Sequence, residues 1–303
     1  MQQISIDTSL SRASKLFKKG KASDALKIIM RIQAAFPENE RARKMLYKLR
    51  SDDQLKALDP PNKLLQPIIA DYERNEFQKS LRGAENLSKK FSKSPILDSL
   101  LGAIKFSLGQ IHSAEFHFRS AIELDPFNLD SINNLARALK AQKKCPEAID
   151  ILNTYLSYHP NSQEMQNILG SLHVDLRDFQ NAIRCFKKAN ELDPMFADAF
   201  FNLGGALYLK SEYEEAIIAF AKAKDVGFDK AKSFNNIGLC QRQLGRIDDA
   251  IISHKSALNI MAGGVPDAYS TYVNLGNAYF DQKNWQASIS NYNMAIDCQN
   301  NRP

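Results

Sequence analysis

The side chains best suited to chemistry with another molecule are amides. Asn134, Asn202, Asn236 and Asn274 each stand immediately before a pair made of Leu or Ile and a small residue. A side-chain amide offers one acceptor and two donors, so a row of them could bracket the peptide units of an extended chain. Such recognition reads backbone and tolerates any sequence. The same chemistry could equally tie each Asn to the backbone of a neighbouring segment. Leu100 and Ile168 hold the equivalent places elsewhere, so the unbroken run is Asn202, Asn236 and Asn274.

No catalytic or metal-binding set competes with these amides. The patterns G-x-x-x-x-G-K-S/T, G-x-G-x-x-G, H-E-x-x-H and G-x-S-x-G do not occur. His112 and His117 are five residues apart, a poor shared face for one metal, and His159, His173 and His254 are isolated. Glu214-Glu215 and Asp248-Asp249 are adjacent pairs that diverge around a helix and suit first-turn positions near the helix dipole. Cys145, Cys185, Cys240 and Cys298 are 40, 55 and 58 residues apart, which fits neither a zinc site nor a dithiol motif. The expectation is a non-enzyme with no catalytic residue, cofactor or metal, and with reduced thiols in the cytoplasm.

The elements that must carry the amides announce themselves by repetition. Leu101-Gly102, Leu135-Ala136, Leu169-Gly170, Leu203-Gly204 and Ile237-Gly238 follow one another at 34 residues, and Leu275-Gly276 follows at 38. Twelve residues after each small residue comes another: Ala114, Ala148, Ala182, Ala216, Ala250 and Ser288. Self-similarity at such a period marks an array of supersecondary units. Within a unit, Phe179, Ala182, Ile183, Phe186, Ala189 and Leu192 fall at steps of three and four, so they share one helix face. Ile168, Leu169 and Leu172 do the same one helix earlier. Gly109, Gly245 or a polar run such as Arg177-Asp178 supplies the turn, and two antiparallel helices fold back on each other. Small residues at the crossing let the helices approach closely. Phe118, Leu152, Phe186, Phe220 and Tyr292 fill the remaining space, while Pro126, Pro160 and Pro194 separate units.

This constellation resembles the tetratricopeptide repeat. Phe200 to Gly204, then Tyr213, Ala216, Phe220 and Ala223, match the family pattern almost throughout, as do Ala182 to Ala189 with Leu192-Asp193-Pro194. Trp285 is the only Trp and occupies the turn-side aromatic position; Phe228 and Ala262 replace the closing Pro of two repeats, and Gly263, Gly264 and Pro266 mark an extended turn. The resemblance implies an all-α right-handed superhelix of tandem helix-turn-helix repeats, an α-solenoid whose first helices line a concave groove. It implies a scaffold that binds a protein or peptide through Asn134, Asn202, Asn236 and Asn274, with Phe201, Tyr208, Asn235, Arg242, Asn277 and Phe280 beside them. A carboxylate clamp of the kind found in chaperone-tail-binding members is only partly matched: Lys232, Asn236 and Asn202 are present, but Asn167 and Ser171 replace the expected Lys and Asn.

The expected organisation is an N-terminal basic hairpin with one more helix over residues 1–50, a linker over 51–61, and an array over 62–303. The array opens with a degenerate pair at 62–94 and continues with six repeats over about 95–302. The hairpin uses Ala13, Leu16, Phe17, Gly20, Ala25, Ile28, Ile29 and Ile32, closing at Pro37, and Met45, Leu46 and Leu49 mark the lone helix. This layout is similar to bacterial proteins in which such repeats precede a sulfotransferase or glycosyltransferase domain, so a substrate-presenting role within a larger transferase is the alternative. Apolar residues are 44% and charged residues 24%, no apolar run approaches the roughly 20 residues needed to span a bilayer, and no secretory signal is evident. Residues 1–50 carry 12 Lys+Arg against 4 Asp+Glu, a net +8, whereas the remainder nets −2. Such a local excess suits an acidic partner, an anionic membrane surface or nucleic acid, or is simply a solvated face; no aromatic-rich nucleic-acid motif accompanies it. A visible polar cap is lacking after the last helix, so the expectation is either that another copy covers that face, giving self-association through uncapped ends, or that the natural chain continues.

Overall fold

The computed structural model describes residues 2–36, 39, 41–42, 44–45, 59–125, 128–156, 160–261 and 268–300. Among these there are sixteen helices and no strand. They form eight hairpins: α1 (Gln2–Lys18) with α2 (Ala22–Ala35), α3 (Asn62–Glu73) with α4 (Phe77–Ser88), α5 (Pro95–Ser107) with α6 (Ile111–Leu124), and α7 (Leu129–Ala141) with α8 (Cys145–Leu156). Then come α9 (Gln163–Asp175) with α10 (Phe179–Leu192), α11 (Ala197–Leu209) with α12 (Tyr213–Asp225), α13 (Lys230–Gln243) with α14 (Ile247–Met261), and α15 (Ala268–Asp281) with α16 (Trp285–Asn300). The chain forms two compact units, Met1–Pro160 and Asn161–Pro303. Pro37, Leu46, Leu49, most of the linker, Pro126, His159, Ala262, Gly263, Gly264, Pro266 and the last three residues lie outside the described residues. The first hairpin begins earlier than its apolar pattern suggests: α1 reaches back to Gln2 and places Ile6 and Leu10 in the hairpin core.

Every hairpin turns in the same way. The backbone passes through the left-handed region at Gly20, Asn75, Gly109, Lys143, Arg177, Ser211, Gly245 and Lys283, with φ between 58° and 75°. At each turn the amide of that residue bonds the carbonyl three residues back, and the next amide reaches five back. Gly109 N to Phe106 O at 3.0 Å and Gln110 N to Lys105 O at 2.9 Å are one instance. This is the Schellman closure, which satisfies the last carbonyls of the first helix. Glycine adopts the required φ freely; Lys143, Arg177, Ser211 and Lys283 hold it at a steric cost of about 1 kcal/mol each.

Counting from the small residue of each first helix, the left-handed turn falls at +7, a small buried residue at +12 and the partner side chain at +16. The +12 residues are Ala25, Ser80, Ala114, Ala148, Ala182, Ala216, Ala250 and Ser288, all buried. The +16 side chain fills the slot opened at the start of the count. A Cβ added to Gly102, Gly170 or Gly204 would stand 2.6–2.7 Å from the ring of Phe118, Phe186 or Phe220. At Gly276 it would meet Tyr292 at 2.6 Å, and at Gly238 it would meet the imidazole of His254 at 2.7 Å. Where the first residue already carries a methyl, as Ala136 does, the +16 residue is the smaller Leu152. The degenerate α3–α4 pair inverts the arrangement: Ile68 occupies the small position and Ala84 the large one, both buried. The serines at +12 find their own partners, Ser80 Oγ donating to Ile68 O at 2.8 Å and Ser288 Oγ to Gly276 O at 2.9 Å.

Within each unit, the hairpins from α3 onward stack by the other side of the second helix. On α14, Ile247, Ile251 and Leu258 pack with Leu275, Ala278 and Tyr279 of α15. In the first unit a polar clasp reinforces the stack. Glu115 on α6 accepts from Gln142 at 2.6 Å, Arg119 at 2.9 Å and Lys144 at 3.1 Å. Its burial opposes ionisation, yet these donors hold its carboxyl down to about 2.

His254 carries a titratable group into an otherwise apolar slot. Burial, with a smaller contribution from the Arg242 charge, depresses its imidazole to about 4, below the usual value of about 6.5. A depressed histidine stabilises the fold fully above its unfolded pKa, and that contribution fades as pH falls from about 6.5 to about 4. Across that window the group should withdraw up to about 3 kcal/mol. His254→Phe should flatten this part of the stability–pH curve, read by urea unfolding between those limits; an unchanged curve would show the group does not titrate with folding. A second outcome tests the slot. Gly204→Ala should destabilise by about 1–2 kcal/mol despite better helix propensity. Combined with Phe220→Leu, the pair should recover at least about 0.5 kcal/mol of the summed losses in a double-mutant cycle, because it recreates the Ala136–Leu152 combination.

Candidate functional site

In the second unit, the first helices α11, α13 and α15 each bury one side and leave another available. Leu203, Gly204, Ala206 and Leu207 of α11 face the core, as do Ile237, Gly238 and Cys240 of α13 and Leu275, Gly276 and Ala278 of α15. Asn202, Gly205 and Leu209 fall three and seven residues apart, so they share the opposite face of α11. Asn236 and Gln243 on α13, and Asn274, Asn277 and Asp281 on α15, repeat the pattern. Open space lies above Gly205, and Leu209 and Phe280 are each about half exposed, at 51% and 54%.

The asparagines do not play one role. Asn202 Nδ2 donates to Asn167 Oδ1 at 2.9 Å, joining α11 to α9. Asn274 Nδ2 donates to Asn235 Oδ1 at 3.1 Å, joining α15 to α13. Asn236 Nδ2 donates to Lys232 O at 3.1 Å within its own helix. Two members of the row are thus ties between consecutive first helices, made to side chains and not to backbone. Among the described residues no side-chain hydrogen bond joins α11 to α13, so the row opens between Asn202 and Asn236, beside Gly205. Asn134 lies in the other unit, on α7.

The other residues expected on this face are also partly committed. Phe201 stacks on Phe228 with centroids 4.1 Å apart and meets Phe220 edge-on at 5.2 Å, so it serves packing. That contact also explains why Phe228 replaces a closing proline. Tyr208 meets Tyr213 edge-on at 5.5 Å, and Phe280 meets Trp285 at 5.1 Å. Arg242 Nε donates to Asp281 Oδ2 at 2.6 Å, a second bridge from α13 to α15. Asn277 Oδ1 accepts from the Tyr292 hydroxyl at 2.8 Å. Asn235 Oδ1 also lies 3.0 Å from His254 Nδ1, while His254 Nε2 is buried without a partner.

The roles of Asn167 and His254, the one a departure from the clamp pattern and the other an isolated histidine in the sequence, emerge only from the structure. Asn167 and Asn235 each stand three residues before their glycine, forming a second amide column one residue behind the first; that offset was the available signal. His254 sits at the +16 position that is aromatic in the neighbouring hairpins. Among the described residues, no group of three His, Cys, Asp or Glu could hold a metal, and no helix is long and apolar enough to cross a membrane. Burial pushes the Cys185 thiol up to about 11 and the Cys240 thiol up to about 12, so neither is a ready nucleophile.

Known proteins share this geometry. Residues 105–172 and 169–231 match two family models, each described as "Tetratricopeptide repeat". Anaphase-promoting complex subunit 3 of Schizosaccharomyces pombe is 23% identical over 75% of this chain and 33% of its own length. The human protein O-mannosyl-transferase TMTC1 is 27% identical over 58% of this chain and 20% of its own length. The chain thus spans a third or less of these curated relatives. The solved APC/C hetero-tetramer Cut9–Hcn1 superposes with a TM-score of 0.63 at 18% identity, covering 98% of this chain and 53% of that one. A tetratricopeptide repeat protein from Parabacteroides merdae gives 0.60 at 16% identity, covering 80% and 94%. The eight hairpins and their register are those of an α-solenoid, and residues 105–231 match models of the tetratricopeptide repeat.

Proposed function

We propose that this chain is a protein-interaction scaffold that holds an extended peptide segment along the first-helix face of its second unit. The observation that carries the reading is the opening between α11 and α13. There Asn236 spends its amide on its own helix, Gly205 leaves room for a backbone, and Leu209 offers exposed apolar surface. Asn236 is the residue free to turn outward and bracket a peptide unit, whereas Asn202 and Asn274 keep neighbouring helices in place. Phe280 and Tyr208 supply flanking apolar contact. Likeness to a subunit of the anaphase-promoting complex supports a role in assembling proteins.

A second reading rests on a different observation. Trp285, Ile289 and Ile296 of α16 occupy the places that Ile247, Ile251 and Leu258 fill on α14, yet they are 53%, 60% and 52% exposed. A stacking face of this kind fits a further helix, and the second reading takes that helix from another copy of the chain.

The two readings separate experimentally. Short random peptides displayed against the full chain should yield binders whose affinity falls about tenfold, or ~1.4 kcal/mol, in Asn236→Ala. The unfolding free energy should stay within about 0.5 kcal/mol, because the residue is on the surface. Binders indifferent to that change would remove the groove reading. For assembly, static light scattering should show concentration-dependent growth in mass that Ile289→Lys abolishes; a constant monomer mass defeats that reading.

A further inference from the structure

We propose that the first unit takes an acidic peptide along α2. One bulky apolar side chain would enter each of two cavities, and a carboxylate would meet Arg31 between them. This site belongs to the first unit and uses none of the residues of the groove on the second.

The first cavity, of about 450 Å³, lies where α2 faces α6, α7 and α8. Its apolar wall is Met30, Ile122, Ile151 and Tyr155. The second, of about 270 Å³, lies on the α1–α2 hairpin against Ile6, Ile28, Ile32 and Phe36, with Arg12 at its edge. Among the described residues, Arg31 alone lines both. Lys27, one helical turn earlier, stands at the first cavity on the same face as Arg31.

Charge decides what these hollows suit. Lys27 and Arg31 are exposed and make no ion pair among the described residues. Arg119, by contrast, lines the first cavity but is already engaged by Glu115 at 2.8 Å and by Glu147 at 2.5 Å. Asp7, an acid of this hairpin, is taken by Arg41 at 3.2 Å. Among the described residues, Glu123 is the one carboxylate on either wall. Arg12, Lys15, Lys18, Lys19 and Lys21 extend the exposed positive surface along the hairpin.

The shape narrows the partner further. A nucleic-acid backbone is held chiefly by cations on phosphates, and a bilayer takes apolar groups that protrude into it. Here the apolar groups are recessed, and each hollow accepts a side chain from outside. Two recessed apolar anchors on either side of a guanidinium with no ion pair among the described residues describe a peptide of alternating apolar and acidic character. The guanidinium can take a carboxylate in two parallel hydrogen bonds.

The test uses the full chain and a fluorescent synthetic peptide with two leucines flanking a pair of glutamates, followed by anisotropy. Binding should weaken about tenfold or more in Arg31→Glu, and by about threefold or less in Lys18→Glu, which changes charge equally but lies away from both cavities. Peptides with glutamine for glutamate, or serine for leucine, should each lose about tenfold or more. Equal losses in the two charge variants would reduce the surface to diffuse electrostatics and overturn the proposal. So would failure of the acidic peptide to bind. Tighter, Arg31-dependent binding of phosphatidylserine vesicles or a single-stranded oligonucleotide would reassign the site and overturn it as well.

Discussion

The structure depends on a fixed volume at each helix crossing. A first helix and its return helix can lie close only if the slot between them holds one bulky group and no more. Five hairpins meet the condition with glycine opposite an aromatic or imidazole ring. A sixth uses Ala136 with Leu152, and the degenerate one uses Ile68 with Ala84 in reversed positions. Close-packed interiors are unforgiving of a single methylene, so the pair and not either residue is what the fold specifies. The +12 alanine column and the left-handed +7 turn follow from the same approach, because both set how far the return helix can travel before it meets the slot.

That frame was legible in the residues; much of what hangs on it was not. Periodicity exposed the small residues, the hairpins and most of the large partners, since these repeat at constant spacing. Apolar spacing alone marked Ile68 and Ala84 as partners in a degenerate helix pair, but their inversion was not legible, because exchanging the two sizes preserves volume while erasing the small-residue pattern. His254 was set aside as isolated, since its chemistry differs from that of the Phe it replaces while its shape does not. The asparagine row posed the opposite difficulty. Its spacing was plain, but an amide that grips a ligand and one that grips a neighbouring helix look alike in sequence. Only the location of Asn167 and Asn235 beside Asn202 and Asn274 separates the two uses.

The two units carry surfaces of different character on the same kind of frame. The second offers amides and aromatics on its first helices, with the Asn235–His254–Asn274 network fixing α13, α14 and α15 beneath them. The first offers cations around apolar hollows, held in place by a carboxylate clasp centred on Glu115. Repetition of the backbone therefore does not impose repetition of binding chemistry. Residues that face the slot are dictated by volume, whereas those at the outer positions of each helix answer to other demands.

The count within a hairpin never varies, but the distance from one hairpin to the next does: it is 34 residues at each step from Ile68 to Gly238, 38 between Gly238 and Gly276, and 55 between Ala13 and Ile68. An α-helix advances about 100° per residue. Losing one residue inside a hairpin would swing its return helix by that angle and turn an alanine column toward water. Losing or gaining one between hairpins merely shortens or lengthens a connection. A change in chain length is therefore cheap at a seam and costly inside a hairpin, which makes each hairpin an indivisible phase.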